Sequence, residues 1–335
     1  MPAHVAPSCV APFSRLARRA GALLAACALA SLCPTGAAAR EEVRFGLSVG
    51  DNPVFAPVAA AVELGFFEEA GLDVRIVPLR GAQAAEEAIA AGHVDVIDHT
   101  IPYASRAIAT GAQLKIVATA SHGFYGWSVI VRADSPAARM SDLAGKRVGI
   151  GPRLSVADMA ARRLAEATGA QYDFIARGPG ALVPDLRAGA LDAVLYSAAV
   201  ALREVSSGNA RKLFDLADPS DRTAIYGYSA AAAMREGRGA QLRAFLAGAH
   251  RALAHMKADR PWTVRFLRGY VNASEQALAE SLFDQVIARL SDDGASDADS
   301  VRRGLTLAAR AWNAPALADL DPAAVFTNDF TTRAP

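Results

Sequence analysis

The sequence predicts an α/β protein of two similar lobes, each a mostly parallel sheet flanked by helices. Apolar strand-like runs alternate with amphipathic helical segments from residue 42 to residue 197, the order that builds parallel sheets covered on both faces. The order begins afresh near Lys146, and AGHVDVIDH at 91–99 returns as AGALDAVLY at 188–196, with Gly92 and Asp95 matching Gly189 and Asp192. A single repeat of this size means two lobes and not a solenoid of short units. The 335 residues suit two domains at about 100 to 200 residues each.

In order along the chain, EVRFGLSV reads as a strand, GDNP as a turn, and FAPVAAAVELGFFEEAG as a helix stopped by Gly71. LDVRIVPL, VDVID and LKIVATA are further strands, separated by the helices RGAQAAEEAIAAG and IPYASRAIATG. GFYGWSVIVRADSP carries the chain to the second lobe. There KRVGI, 172–176 and LDAVLYS are strands, and 155–168 and 182–188 are helices ending at Gly169 and Gly189. AIYGYSAAAAM returns as a strand, and four amphipathic helices from residue 240 onward pad the first lobe. The expected division is lobe 1 at 40–124 with 224–335 and lobe 2 at 125–223.

Residues 1–39 read as a secretory signal peptide: Arg15, Arg18 and Arg19 lead into AGALLAACALASLC, and Ala37, Ala38 and Ala39 supply small residues for cleavage. A rival reading takes LAAC as a lipoprotein signal that leaves a lipid on Cys27. The apolar run is shorter than the roughly 20 residues of a membrane span. Cys9, Cys27 and Cys33 all lie in this leader, so a chain cut after Ala39 has no disulfide, thiolate metal site or cysteine nucleophile. It keeps 32 basic against 34 acidic residues, a balance that argues against a nucleic-acid partner.

GHVDVIDHT, at 92–100, gathers two histidines and two aspartates, yet strand alternation sends His93 and Asp95 to one face and Asp98 to the other. Four metal ligands therefore cannot converge. Asp95, repeated as Asp192, reads as a scaffold residue at the helix-to-strand turn, and His93 as a solvated one. Asp98 stays open between a turn role and a cleft rim. Ser155 and Asp158 have capping-box spacing with Asp in place of Glu or Gln, and Arg153 beside that helix start suggests an anion site. His250 and His255, five apart on a late helix, read as surface residues.

LGFFEEAGLDVRIVP, the Gly92 and Asp95 pair, ATGAQLKIVA, RADSPAARMSDLAGKRVGIG and AGALDAVLY, spanning about 43–218, resemble a known family. It is that of the periplasmic solute-binding proteins of ABC importers for nitrate, aliphatic sulfonates, taurine and thiamine pyrimidine precursors. The resemblance implies the two-lobed periplasmic binding-protein fold, type II like, with a ligand cleft between lobes at the loops after the strand ends. On those loops the expected ligand contacts are Ser48, Asn52, Phe55, Arg80, His99, Thr100, Ser121, Arg153, Ser155 and Tyr196, with His99 facing Tyr196 across the cleft. His122, Tyr125 and Trp127 form an aromatic group on the crossover.

The implied function is capture of a small anionic organic solute, such as a sulfonate, carboxylate or nitrate. The protein is expected as a periplasmic monomer that delivers the solute to an ABC permease and ATPase complex at the inner membrane, with no cofactor, metal or catalysis. The alternatives are a binder of a thiamine pyrimidine precursor or another heterocycle, and an enzyme or sensor on the same fold.

Overall fold

A computed structural model describes residues 39–50, 52–272 and 276–331. Residues 1–38, with most of the leader, its cysteines and the rival lipid site at Cys27, lie outside the described residues. Ten strands are described: β1 Glu41–Leu47, β2 Leu72–Pro78, β3 Val96–Thr100, β4 Leu114–His122, β5 Ser128–Arg132, β6 Arg147–Ile150, β7 Asp173–Ala176, β8 Ala193–Tyr196, β9 Ala210–Asp215 and β10 Ala224–Ala231. They form two five-stranded sheets, β2-β1-β3-β10-β4 and β7-β6-β8-β5-β9.

The two sheets have the same plan. β1 runs parallel to β2 and β3, as β6 does to β7 and β8, while β10 and β5 lie antiparallel in the fourth place. These antiparallel strands are the ones that follow the two crossings, so each lobe receives its fourth strand from the chain arriving from the other. β5 was expected only as a connector. SVIVR is a buried apolar run that pairs on both edges, which is what a central strand requires. The helix predicted across 55–71 is divided, into Ala56–Glu63 and Phe66–Glu69, by Gly65 at φ 73°. Two elements that the sequence reading passed over, the helix Ala198–Ser206 and β9, complete the second lobe.

One contact, made twice, ties each loop to its sheet. The Asp95 carboxylate accepts from the Arg44 backbone N–H at 2.8 Å and from its Nε and Nη2 at 3.1 and 3.0 Å, and the Asp95 N–H returns a bond to the Arg44 carbonyl at 2.9 Å. Asp192 does the same to Arg147, accepting at 2.9 Å from the backbone and at 3.1 and 3.2 Å from the guanidinium, and donating to the Arg147 carbonyl at 2.9 Å. Gly92 and Gly189, at φ 70° and 73°, make the left-handed turns that deliver both aspartates. Asp95 is the more buried of the two and has a second cation, Arg238, at 3.1 Å.

The C-terminal helices do not pad the first lobe alone. Gly239–Ala258 packs on Ala56–Glu63, and Phe245 stacks on Phe67 at 5.4 Å. Gln276–Gln285 rests on Ala198–Ser206, however, and Ala298–Ala311 lies against both Ile101–Ala109 and Val156–Thr168, so these two helices span the lobes. Just past the latter, the Trp312 indole donates to the Ser155 carbonyl at 3.4 Å, and Arg310 lies 3.6 Å from Glu166. His250 and His255 are half-buried instead of at the surface, because His255 sits edge-on to Trp262 at 4.9 Å and to Phe66 at 6.5 Å.

Burial pushes the Asp95 carboxyl up, but hydrogen bonds from Arg44 and the charges of Arg44 and Arg238 outweigh it, so its pKa lies below the ordinary 3.8. Its stabilising contribution is therefore present above about pH 4 and is lost as pH falls through the lowered value. Removing one partner of a buried pair costs about 3 to 5 kcal/mol. Urea unfolding of Asp95→Ala should show a loss of about that size at pH 7, and Asp192→Ala a loss well below it; equal losses would refute the difference in burial as the cause.

Candidate functional site

The parallel strands of both sheets end toward a common space between the lobes, a cavity of about 480 Å³. That size suits a small organic molecule. The loops leaving β1, β2, β3, β6 and β8 turn directly into helical segments at Pro53, Ala82, Ile101, Val156 and Ala198, and the start of each borders the cavity. Asn52 caps the first by accepting from the Val54 N–H at 3.1 Å, and Thr100 the third by accepting from Tyr103 at 3.4 Å. Ser197 makes no side-chain cap, so the first N–H groups of the Ala198 helix, which have no intrahelical acceptor, lie at the cavity. Partial positive charge thus collects there from several helix starts, and among the described residues no lysine or arginine is part of the lining.

Of the expected contacts, Ser48, Asn52, Phe55 and Thr100 line the cavity from the first lobe, and Ser155 and Tyr196 from the second. His99 borders it too, yet its ring is engaged elsewhere: Nδ1 lies 2.9 Å from Ser229 Oγ and Nε2 3.3 Å from Glu86 Oε1. Three residues stand apart from the lining. Arg80 is exposed beyond β2, and Ser121 is buried in β4 opposite Tyr226. The Arg153 guanidinium reaches Asp158 at 3.2 Å and the Phe174 carbonyl at 3.1 Å.

The capping box is also drawn differently from the expected one. Ser155 Oγ accepts from Ala157, while the buried Asp158 carboxylate reaches past the cap to the N–H of Leu154. This holds Leu154 in the left-handed region, φ 57°, with its side chain exposed.

Two residues that the sequence reading left out as contacts, Tyr103 and Tyr226, belong to the lining, and Tyr125 and Trp127 of the crossover join them. Trp127 donates through Nε1 to the Tyr226 hydroxyl at 3.3 Å, and Phe55 stands edge-on to Tyr226 at 6.2 Å. Burial pushes the Tyr226 phenol up to about 12, so it stays neutral. The alternation in AIYGYS marks Tyr226 and Tyr228 as sharing one face, but only the sheet order shows that this face meets Phe55. Gly126, at φ 77°, lies where a Cβ would come within 2.6 Å of the Ala198 Cβ. A side chain there would displace the start of that helix.

Asp98 is the buried charge of the site, 3 % exposed. Its carboxylate accepts from the Ser48 N–H at 2.6 Å and the Ser48 hydroxyl at 2.7 Å. Burial raises its pKa to about 6 in spite of these bonds. Among the described residues no cationic side chain forms an ion pair with it, and no three His, Cys, Asp or Glu side chains gather to hold a metal ion.

Two α/β lobes of one plan, joined by two crossings and enclosing a cavity at their strand ends, make this a two-lobed binding protein of the periplasmic type. Residues 52–261 match the family described as NMT1/THI5 like, and the chain belongs to that family. No curated protein matches it by sequence.

Its fold is similar to that of the periplasmic aliphatic sulphonate binding protein SsuA from Escherichia coli, at TM-score 0.69 and 18 % identity over 88 % of this chain and 93 % of that one. The alkanesulfonate-binding protein SsuA from Xanthomonas axonopodis pv. citri, bound to MOPS, is similar at 0.68 and 17 % over 86 % and 99 %. An ABC transporter structure from Parabacteroides distasonis is similar at 0.65 and 14 % over 87 % and 99 %.

Because the Asp98 pKa rises on folding from 3.8 to about 6, the unfolded chain releases this proton first. The ligand-free protein should lose stability as pH rises from about 4 to about 6, by up to about 3 kcal/mol from this group. Asp98→Asn should remove that part of the slope in denaturation curves, whereas an unchanged slope would show that Asp98 ionises as freely folded as unfolded. Gly126→Ala should lower the melting temperature, at a cost of about 1 to 3 kcal/mol; an unchanged temperature would mean that the Ala198 helix gives way freely.

Proposed function

We propose that the protein is the solute-binding component of an ABC importer, working in the periplasm without catalysis, and that its solute is a small organic anion such as a sulfonate or carboxylate. The observation that carries the charge assignment is the convergence of helix starts on a cavity whose lining, among the described residues, contains no basic side chain. Such starts present N–H donors and partial positive charge to an acid group and need no lysine or arginine to do so. The open N-terminus of the Ala198 helix, the Ser197 hydroxyl and the Ser155 cap are the proposed seat of that group. The binding of sulfonates named for two structurally similar proteins agrees with this reading.

The body of the solute meets Phe55, Tyr103 and Tyr226 from the first lobe, Trp127 from the crossover and Tyr196 from the second lobe. Ser48, Asn52, Phe55, Thr100, Ser155 and Tyr196 are retained as contacts. Arg153 acts through Asp158 by shaping the 152–155 loop. Closure of the lobes on the solute would present a distinct surface to the permease, a hinge equilibrium shifted by binding.

Thermal shift and Trp127 fluorescence with alkanesulfonates, carboxylates, nitrate and neutral analogues test the reading. Stabilisation by the organic anions is expected, rising by about 2.7 kcal/mol at a hundredfold excess over Kd. Response only to neutral or purely cationic solutes would defeat it.

A further inference from the structure

The cavity has a second pole. Asp98 lies on the first-lobe side, held by Ser48 on β1, while the proposed anion seat at Ser155 and Ser197 belongs to the second lobe. A carboxylate this deeply buried carries a desolvation cost that the Ser48 donors, the Val49 N–H and the nearby His99 offset only in part, and among the described residues it makes no ion pair. A solute bearing only negative charge would add repulsion to that cost. One that brings a positive charge or an acidic N–H to Asp98 would relieve it.

The surroundings favour a particular kind of cation. Phe55, Trp127 and Tyr226 line the same cavity as Asp98, and the faces of such rings attract a cation already stripped of water. The Tyr226 hydroxyl already accepts from the Trp127 indole, so the carboxylate is the main acceptor at this end of the cavity. A volume of about 480 Å³ holds more than a two-carbon chain and has room for a ring.

On these grounds we infer that Asp98 is the specificity-determining residue of the cavity and receives a protonated ring nitrogen, so that the preferred solute is a cyclic ammonium joined by a short linker to a sulfonate or carboxylate. The inference rests on the proposed function for the acid end and adds the opposite end to it. His99, next in sequence, acts on Asp98 only through its charge, because its ring nitrogens are engaged by Ser229 and Glu86 and do not pair with the carboxylate.

A matched pair of probes separates the two ideas. 3-(Piperidin-1-yl)propanesulfonate and 3-cyclohexylpropanesulfonate have the same length, ring size and acid group, and differ in whether the ring carries a protonated nitrogen. Calorimetry at pH 7.5 with the intact protein should give a preference of about tenfold or more for the piperidinium compound, the scale of one hydrogen bond between charged groups. Asp98→Asn should bring the ratio to within about twofold.

Equal affinities in the unsubstituted protein would overturn the role of Asp98 while leaving the anion reading intact. Binding of neither sulfonate, alongside binding of piperidine itself, would overturn the anion reading and with it the two-ended solute. The comparison in the unsubstituted protein decides the matter even if the Asn variant does not fold. A preference that survives unchanged in a folded Asn variant would assign the nitrogen to some other group.

Discussion

Everything about the cavity depends on the carboxylate clamp that each lobe repeats. Asp95 on Arg44 and Asp192 on Arg147 bind backbone and side chain of the same residue at once. That residue lies near the start of the strand that pairs with both parallel neighbours. Fixing the incoming loop at the lower end of the strand sets the register of β3 against β1 and of β8 against β6. The residues that matter at the upper end, Asp98, Thr100 and Tyr196, are placed by counting upward from that fixed point. A one-residue slip would exchange the faces of β3 that Asp98 and His99 occupy.

The geometry of the site follows from the same parallel arrangement. A parallel strand must hand the chain to a covering helix, so strand ends and helix starts meet at one edge, and two such edges face each other here. Positive helix ends thus surround the cavity with no basic side chain in its lining among the described residues. Against this background the buried acid of Asp98 and the neutral phenol of Tyr226 are the distinguishing chemistry, one negative and one uncharged, both on the first-lobe side.

Much of this was legible in the sequence. The strand-helix alternation and the doubled Gly-Asp phrase give the two-lobed architecture, because periodicity and turn glycines report on local structure. β5 was hidden because a buried strand with apolar residues on both faces lacks alternation and cannot be told from a connecting segment. Seven of the ten expected contacts border the cavity, His99 with its ring nitrogens bonded elsewhere, since they sit at strand ends and loops whose position the strand order dictates. The direction of longer side chains was not legible. Arg153 turns to Asp158 and His99 to Glu86 and Ser229, the last 130 residues away, and no spacing rule reveals such choices. The sequence leaves Asp98 open between two roles for the opposite reason: its deep burial without an ion pair among the described residues is displayed only by the three-dimensional neighbourhood.

The exchange of antiparallel strands has a consequence for the order in which the molecule can be made. All five strands of the second sheet come from the continuous stretch 128–215, so that sheet is complete once residue 215 is available. The first sheet has four strands in hand by residue 122 but lacks the one between β3 and β4 until residues 224–231 arrive, and its covering helix at 239–258 comes later still. During synthesis from the N-terminus, the lobe that begins first therefore finishes last. Until then β3 and β4 wait with unpaired edges, the state most prone to wrong pairing.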